Sequence, residues 1–126
     1  MRMIVGAVAL MIVVVVAGVA FERIMAAEAE RILHALRDVE KAILDNRFEE
    51  ALVLLSHVEE RWDRVGRTWP IVVDHHDIDH VSETLIRLRQ YMRFGDVENS
   101  VVELSAAAYA VGKVASKESF SLTTVF

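Results

Sequence analysis

The chain has 126 residues, a formal net charge of −5 at neutral pH, 54% hydrophobic side chains and no cysteine. That length holds one small domain; the acid surplus argues against a nucleic-acid partner and offers an anionic membrane surface nothing to attract. The missing cysteine excludes a disulfide framework, a thiol nucleophile and a thiolate metal site, and fits an exported domain.

From Met3 to Phe21 the sequence reads MIVGAVALMIVVVVAGVAF, without a charged or strongly polar side chain. As a helix rising about 1.5 Å per residue it spans roughly the 30 Å of a bilayer's hydrocarbon layer. We therefore expect residues 1–21 to be a transmembrane signal anchor, in contact with the lipid bilayer through residues 3–21, and residues 22–126 to form the folded domain. A cleaved signal peptide is the competing reading, because Gly18-Val19-Ala20 offers the small residues that cleavage needs. Against it, the charged region before the run is only Arg2 and the amino terminus, and the run exceeds the usual apolar core of about 7–15 residues. Orientation is open from charge alone. Arg23, Arg31, Arg37 and Lys41 follow the span and only Arg2 precedes it, which favours a cytoplasmic domain, but a two-residue tail has little to retain.

Beyond the span, apolar residues recur at alternating steps of four and three. Met25, Ala29, Ile32, Leu36, Val39 and Ile43 form one seam. Phe48, Leu52, Leu55, Val58 or Glu59, Trp62, Val65 and Trp69 form a second; Ile78, Val81, Leu85, Leu88 and Met92 a third; Val97, Val101, Leu104, Ala108 and Val111 a fourth. Such spacing lays each set along one helix face and predicts an all-α bundle of about four helices. A second copy of the chain would satisfy these seams as well as the chain itself, so a homo-oligomer is also open.

Helix punctuation separates the seams. Asp45-Asn46-Arg47 divides the first two, Pro70 interrupts after Trp69, and Gly95-Asp96 divides the last two, with Gly95 suited to a left-handed C-cap and Asp96 to an N-cap. Short connections make neighbouring helices antiparallel. No proline or glycine lies between Ala20 and Asn46, so one helix is expected to run from about Met3 to Asp45, some 60 Å. Asp45–Leu55 also aligns with Phe94–Leu104 at an offset of 49, pairing Phe48 with Val97 and Leu55 with Leu104. The offset suggests two hairpins with a tetratricopeptide-like shape, although that repeat's signature residues are missing.

The chemically richest stretch is DHHDIDH, Asp74 to His80. If the helix starts just after Pro70, Asp74 turns toward the core with His75 beside it and needs a donor such as Arg61, Arg64 or Arg67. If it starts at Asp74, that residue is an N-cap, Asp77 takes the capping-box position, and an acidic first turn suits the helix dipole. Either way His76 and His80 share a face, four residues apart, and with Asp77 they form a candidate chelate for a divalent ion. No second donor cluster completes it. HHDIDH is not HExxH, and no glycine-flanked serine elbow is present; we expect no enzyme and no cofactor. Trp62 and Trp69, seven apart on one seam, read as core. The terminal SFSLTTVF alternates polar and apolar residues without helix caps. It is expected to lie as an extended strip on the bundle, or to present Phe120, Leu122, Val125 and Phe126 to a partner.

The residues Trp62-Asp63, Trp69, IVVDHHDIDHV, Leu85-Ile86-Arg87-Leu88, Tyr91, Lys117-Glu118, Ser121-Leu122 and Val125-Phe126 together resemble the bacterial domain-of-unknown-function family 4363. Asp74, His75 and Asp79 are the most specific part of the likeness, which extends over essentially the whole chain. Two departures stand out. Lys113-Val114-Ala115 replaces a His-Ile-Pro-like element, and His76 and His80 stand where the family does not require histidine. The resemblance implies a membrane-anchored helical protein with its domain outside the cytoplasm, and it implies no activity. A module that binds another protein or stabilises a membrane assembly is the expected function; the alternatives are a metal or ligand sensor built on Asp74–His80 and a secreted helical protein.

Overall fold

The computed structural model describes residues 1–68 and 75–125, with 116–125 as backbone only. Four helices account for almost all of it: α1 (Arg2–Leu44), α2 (Phe48–Thr68), α3 (His75–Arg93) and α4 (Val97–Val125). Each packs on its neighbours around the ring α1, α2, α3, α4 and back to α1, so every adjacent pair is antiparallel. The likeness to a tetratricopeptide unit thus extends to the pairing of hairpins and stops there, because α4 closes on α1 instead of leaving an open stack.

The first helix is continuous, as the missing helix breakers predict. Its two halves meet different surroundings. Met25, Ala29, Ile32, Leu36, Val39, Ala42 and Ile43 are buried, whereas the aliphatic residues from Met3 to Val19 project beyond the bundle, Val8 at 52% and Val16 at 60% exposure. We call the end from which this stretch projects the base and the opposite end the top.

Both turns at the top are the same device. At the end of α1 the Asn46 N–H donates to the Ile43 carbonyl (3.0 Å) and the Arg47 N–H to the Ala42 carbonyl (2.8 Å). At the end of α3 the Gly95 N–H donates to Met92 (3.1 Å) and the Asp96 N–H to Tyr91 (3.0 Å). Asn46 and Gly95 hold the left-handed conformation, at φ 59° and 69°. These are paired Schellman closures, which satisfy carbonyls that a helix end otherwise leaves unbonded. The next helix starts differently in each hairpin. Asp96 accepts the Asn99 backbone N–H at 3.1 Å and its side-chain amide at 2.6 Å, and these bonds, the side-chain one foremost, hold the Asp96 carboxyl below its ordinary pKa. The cap's contribution is therefore present at neutral pH and is lost as pH falls through the lowered value. Before α2, Arg47 instead bridges Asp45 (3.1 Å) and Glu50 (2.6 Å).

The offset of 49 that relates Asn46 to Gly95 extends through the core. Ala51, Leu55, Val58, Trp62 and Val65 of α2 are buried, and so are their counterparts Ser100, Leu104, Ala107, Val111 and Val114 of α4. Ala29, Ile32, Leu36, Val39 and Ile43 of α1 correspond to Ile78, Val81, Leu85, Leu88 and Met92 of α3, again all buried. All four seams are therefore covered within one chain. The expected α4 seam is corrected at two positions: Ser100 and Ala107, not Val101 and Ala108, are fully buried. Three successive alanines, Ala106 to Ala108, carry no periodic signal, so the sequence could not choose among them. In α2, Val58 takes the core position and Glu59 is half-buried against Arg89.

The extended C-terminal strip is also corrected, since α4 runs unbroken to Val125. No glycine or proline follows Gly112, and extending a helix already docked on the bundle is easier than nucleating one, so weak capping at the end does not stop it. The side chains of Phe120, Leu122 and Val125, and Phe126 as a whole, lie outside the described residues.

One core group is out of place. The Ser100 hydroxyl is fully buried and has no hydrogen-bond partner among the described residues, at the position where the first hairpin carries Ala51. Replacing Ser100 by Ala is expected to raise the unfolding free energy by about 1 kcal/mol, by removing the cost of an unsatisfied buried hydroxyl. Denaturation of the detergent-solubilised full chain measures it, and a clear loss of stability would show that the hydroxyl is engaged.

Candidate functional site

The base of the bundle gathers the chain's chemically suggestive residues. α2 descends to it, α3 rises from it, and α1 enters it from the apolar stretch. α3 is described from His75, with Asp77 in its first turn; the two expected helix starts differ over residues 71–74, which lie outside the described residues. Asp74 and Trp69 lie outside the described residues. Within the stretch that follows, only Ile78 turns inward, at 5% exposure. His75, His76, Asp79 and His80 are exposed and Asp77 is half-buried.

Trp62 fixes this end of the bundle. It is 2% exposed, and its indole Nε1 donates to the Ile78 carbonyl at 3.2 Å. The large ring thus fills the core while its one polar atom is satisfied by the first turn of the neighbouring helix. Gly66, one turn further down α2, lies where an added Cβ would sit 3.4 Å from Ile78 Cγ2, so Ile78 is held between the two. Tyr91 is half-buried far from here, in the last turn of α3, where its carbonyl closes the top turn. Tyr91 and the DHHDIDH residues therefore do not share a site.

Among the described residues no three His, Asp or Glu side chains are grouped so as to hold a metal ion. Asp77 and His80 do border a small cavity of about 80 Å³ between α3 and α4, together with Tyr109, Ala110, Lys113 and Val114. His76 does not line it, and the Lys113 ammonium at its wall opposes a second cation.

A larger concavity was missed by sequence reasoning. Between α1 and α2, at the base, a groove of about 390 Å³ is lined by Ile24, Glu28, Arg31, Arg61, Arg64, Val65 and Thr68. Glu28 accepts from Arg31 at 3.5 Å and from Arg61 at 3.3 Å. Arg64 has no ion-pair partner among the described residues. Three guanidinium groups thus line a groove with one carboxylate, which engages two of them. The spacing of Arg61 and Arg64 on one helix face was visible, but Arg31 is thirty residues away in sequence and only the hairpin brings it alongside.

Family comparison places this architecture. Residues 19–125 match the family described as "Domain of unknown function (DUF4363)". The chain belongs to that family. The matched region is the bundle with the last residues of the apolar run, so most of the apolar stretch precedes what defines DUF4363. No curated protein and no solved structure matches the chain.

Two measurements follow from the base. Trp62→Ala should cost about 3–5 kcal/mol, as expected of a large aromatic removed from a closed core, read from denaturation midpoints; a cost near zero would mean that the base is not packed around it. Zinc in excess over the full chain should leave the melting temperature of wild type and of His76→Ala/His80→Ala equally unchanged. A rise in wild type alone would restore the metal reading.

Proposed function

We propose that this DUF4363 chain is a single-pass membrane protein whose helical bundle stands outside the cytoplasm and acts without catalysis, by binding another protein or bracing a membrane assembly. One observation carries the reading: an apolar window of α1 long enough to cross a bilayer has none of its residues buried by the bundle, while the same helix supplies the core a few turns later. Uncovered in water, those aliphatic side chains would each forfeit about 1.5–3 kcal/mol of burial; a bilayer removes that cost and leaves the fold unchanged. A buried core helix would show the opposite pattern.

The continuity of α1 supports a bracing role. With no break between span and bundle, the domain is held at a fixed height and tilt relative to the lipid, which a flexible linker would not do. The placement outside the cytoplasm is supported by the cysteine-free sequence and by the likeness of Asp74, His75 and Asp79 to the family pattern. The absence of a catalytic role is supported by the exposure of the histidines at the start of α3.

Expression of the full chain in cells, followed by alkaline extraction of membranes and by protease treatment of intact spheroplasts, tests the reading. The expected result is a chain of full-length mass that resists extraction and whose bundle is digested from outside. Release at alkaline pH, or a mature chain lacking Arg2 and the apolar run, would replace the anchor by secretion. Protection of the bundle until the membrane is opened would reverse its orientation.

A further inference from the structure

The sequence as a whole is acidic, but its charge is not spread evenly along the bundle. The N-termini of α2 and α4 are both at the top, and their first turns carry Glu49, Glu50 and Glu98 beside the Asp96 cap. Negative charge is favoured there by the helix dipole. The C-terminal turns of α2 are at the base and carry Arg61, Arg64 and Arg67, interleaved with Glu60 and Asp63, and the dipole there favours positive charge. The acidic first turn of α3, with Asp77, also lies at the base, but on the helix diagonal to α1 and so away from the groove between α1 and α2.

The lower end of that groove, at Ile24 and Arg64, has the right height for a lipid headgroup. Counting about 1.5 Å per residue, Ile24, Glu28 and Arg31 stand roughly 4, 10 and 15 Å beyond Phe21, the last residue of the apolar run. The polar layer of a leaflet extends about 5–7 Å beyond the hydrocarbon. α2 descends toward the base, so Arg64 lies about one turn, or ~5 Å, closer to the lipid than Arg61. Long arginine stems extend that reach.

The lining fits the same ligand. Ile24, 62% exposed, makes an apolar edge at the lipid end, the buried side chain of Val65 backs the groove, and Arg31, Arg61 and Arg64 line it with positive charge. Glu28, its side chain 22% exposed, engages two of the three guanidinium groups and leaves the groove net positive. Forked guanidinium donors match the paired oxygens of a phosphate group. A soluble anion would have no use for the apolar edge.

We propose that the groove between α1 and α2 binds the phosphodiester headgroup of an anionic phospholipid in the leaflet on which the bundle stands, with Arg64 as the principal contact and Arg31 and Arg61 beside it. The proposal rests on the membrane-anchor reading and adds a specific lipid partner to it. Headgroup binding fixes the rotation of α1 about its own axis as well as its depth, since only one face of the helix carries the groove.

The full chain in neutral detergent is titrated with phosphatidylglycerol or with phosphatidylcholine of the same acyl chains, and retained lipid is counted by native mass spectrometry for wild type and Arg64→Gln. Arg64 makes no ion pair among the described residues, so its far-UV circular dichroism should be unaltered by the substitution. Wild type should retain phosphatidylglycerol about tenfold better than phosphatidylcholine, and Arg64→Gln should lose most of that preference. Millimolar inorganic phosphate should not displace the lipid. Equal retention of the two lipids, or a variant indistinguishable from wild type, overturns the proposal; displacement by inorganic phosphate overturns it in favour of a free anion. The same chains are inserted into phosphatidylcholine vesicles and washed at alkaline pH. Loss in the wash defeats the anchor reading itself, whereas a chain that stays but shows no lipid preference defeats only the headgroup proposal.

Discussion

α1 is a single unbroken helix that serves two apolar environments in succession. From Met3 to Phe21 every side is apolar, and from Met25 to Ile43 only one stripe is. The stripe fixes which way the rest of the bundle lies, because α2 and α4 must cover it from either side. α3 then closes the ring between them. The point at which the helix changes from all-round to one-sided apolarity sets the base, and with it the level at which Trp62, Ile78 and the arginine groove are found.

The second constraint is the repeated turn. Asn46 and Gly95 are unlike residues serving one purpose, since each adopts the left-handed conformation that lets the last carbonyls of the preceding helix be bonded. The same closure is used twice at an offset of 49, and most buried positions of the two hairpins match at that offset. Ser100 against Ala51 is where the match costs something. Both sites are sealed, and a methyl group fits where a hydroxyl finds no partner.

Much of this was legible in the sequence because apolar spacing reports burial directly. The seams of α1 and α3 were read at every named position, and the Gly95-Asp96 and Asp45-Asn46-Arg47 breaks were placed by punctuation that acts locally. Failures came where the signal was not local or not contrasted. Ala106 to Ala108 hide the register of α4, since small apolar residues look alike to any face. The continuation of α4 to Val125 was missed because a cap is a property of a helix end, while persistence is set by the docked turns before it. The arginine groove was missed because it joins α1 to α2. Net charge, which argued against any attraction to an anionic surface, averages over local groupings such as the three arginines of the groove.

That averaging has a structural cause in the direction of the helices. In an antiparallel ring helices begin at both ends, and side chains that suit helix starts or helix ends sort to the top or the base accordingly. α2 and α4 begin at the top, and the acidic residues there complement both. At the base α3 begins while α2 ends, so acids on α3 and arginines on α2 are each favoured by their own helix and stand on adjacent elements. α1 passes through the base without beginning or ending. It carries no terminal dipole at that level, so Glu28 and Arg31 are free to answer their neighbours instead of their own helix, and Glu28 is spent on Arg31 and Arg61. The excess of cations between α1 and α2 thus follows from the feature on which the fold depends, a first helix that does not stop where the bundle starts.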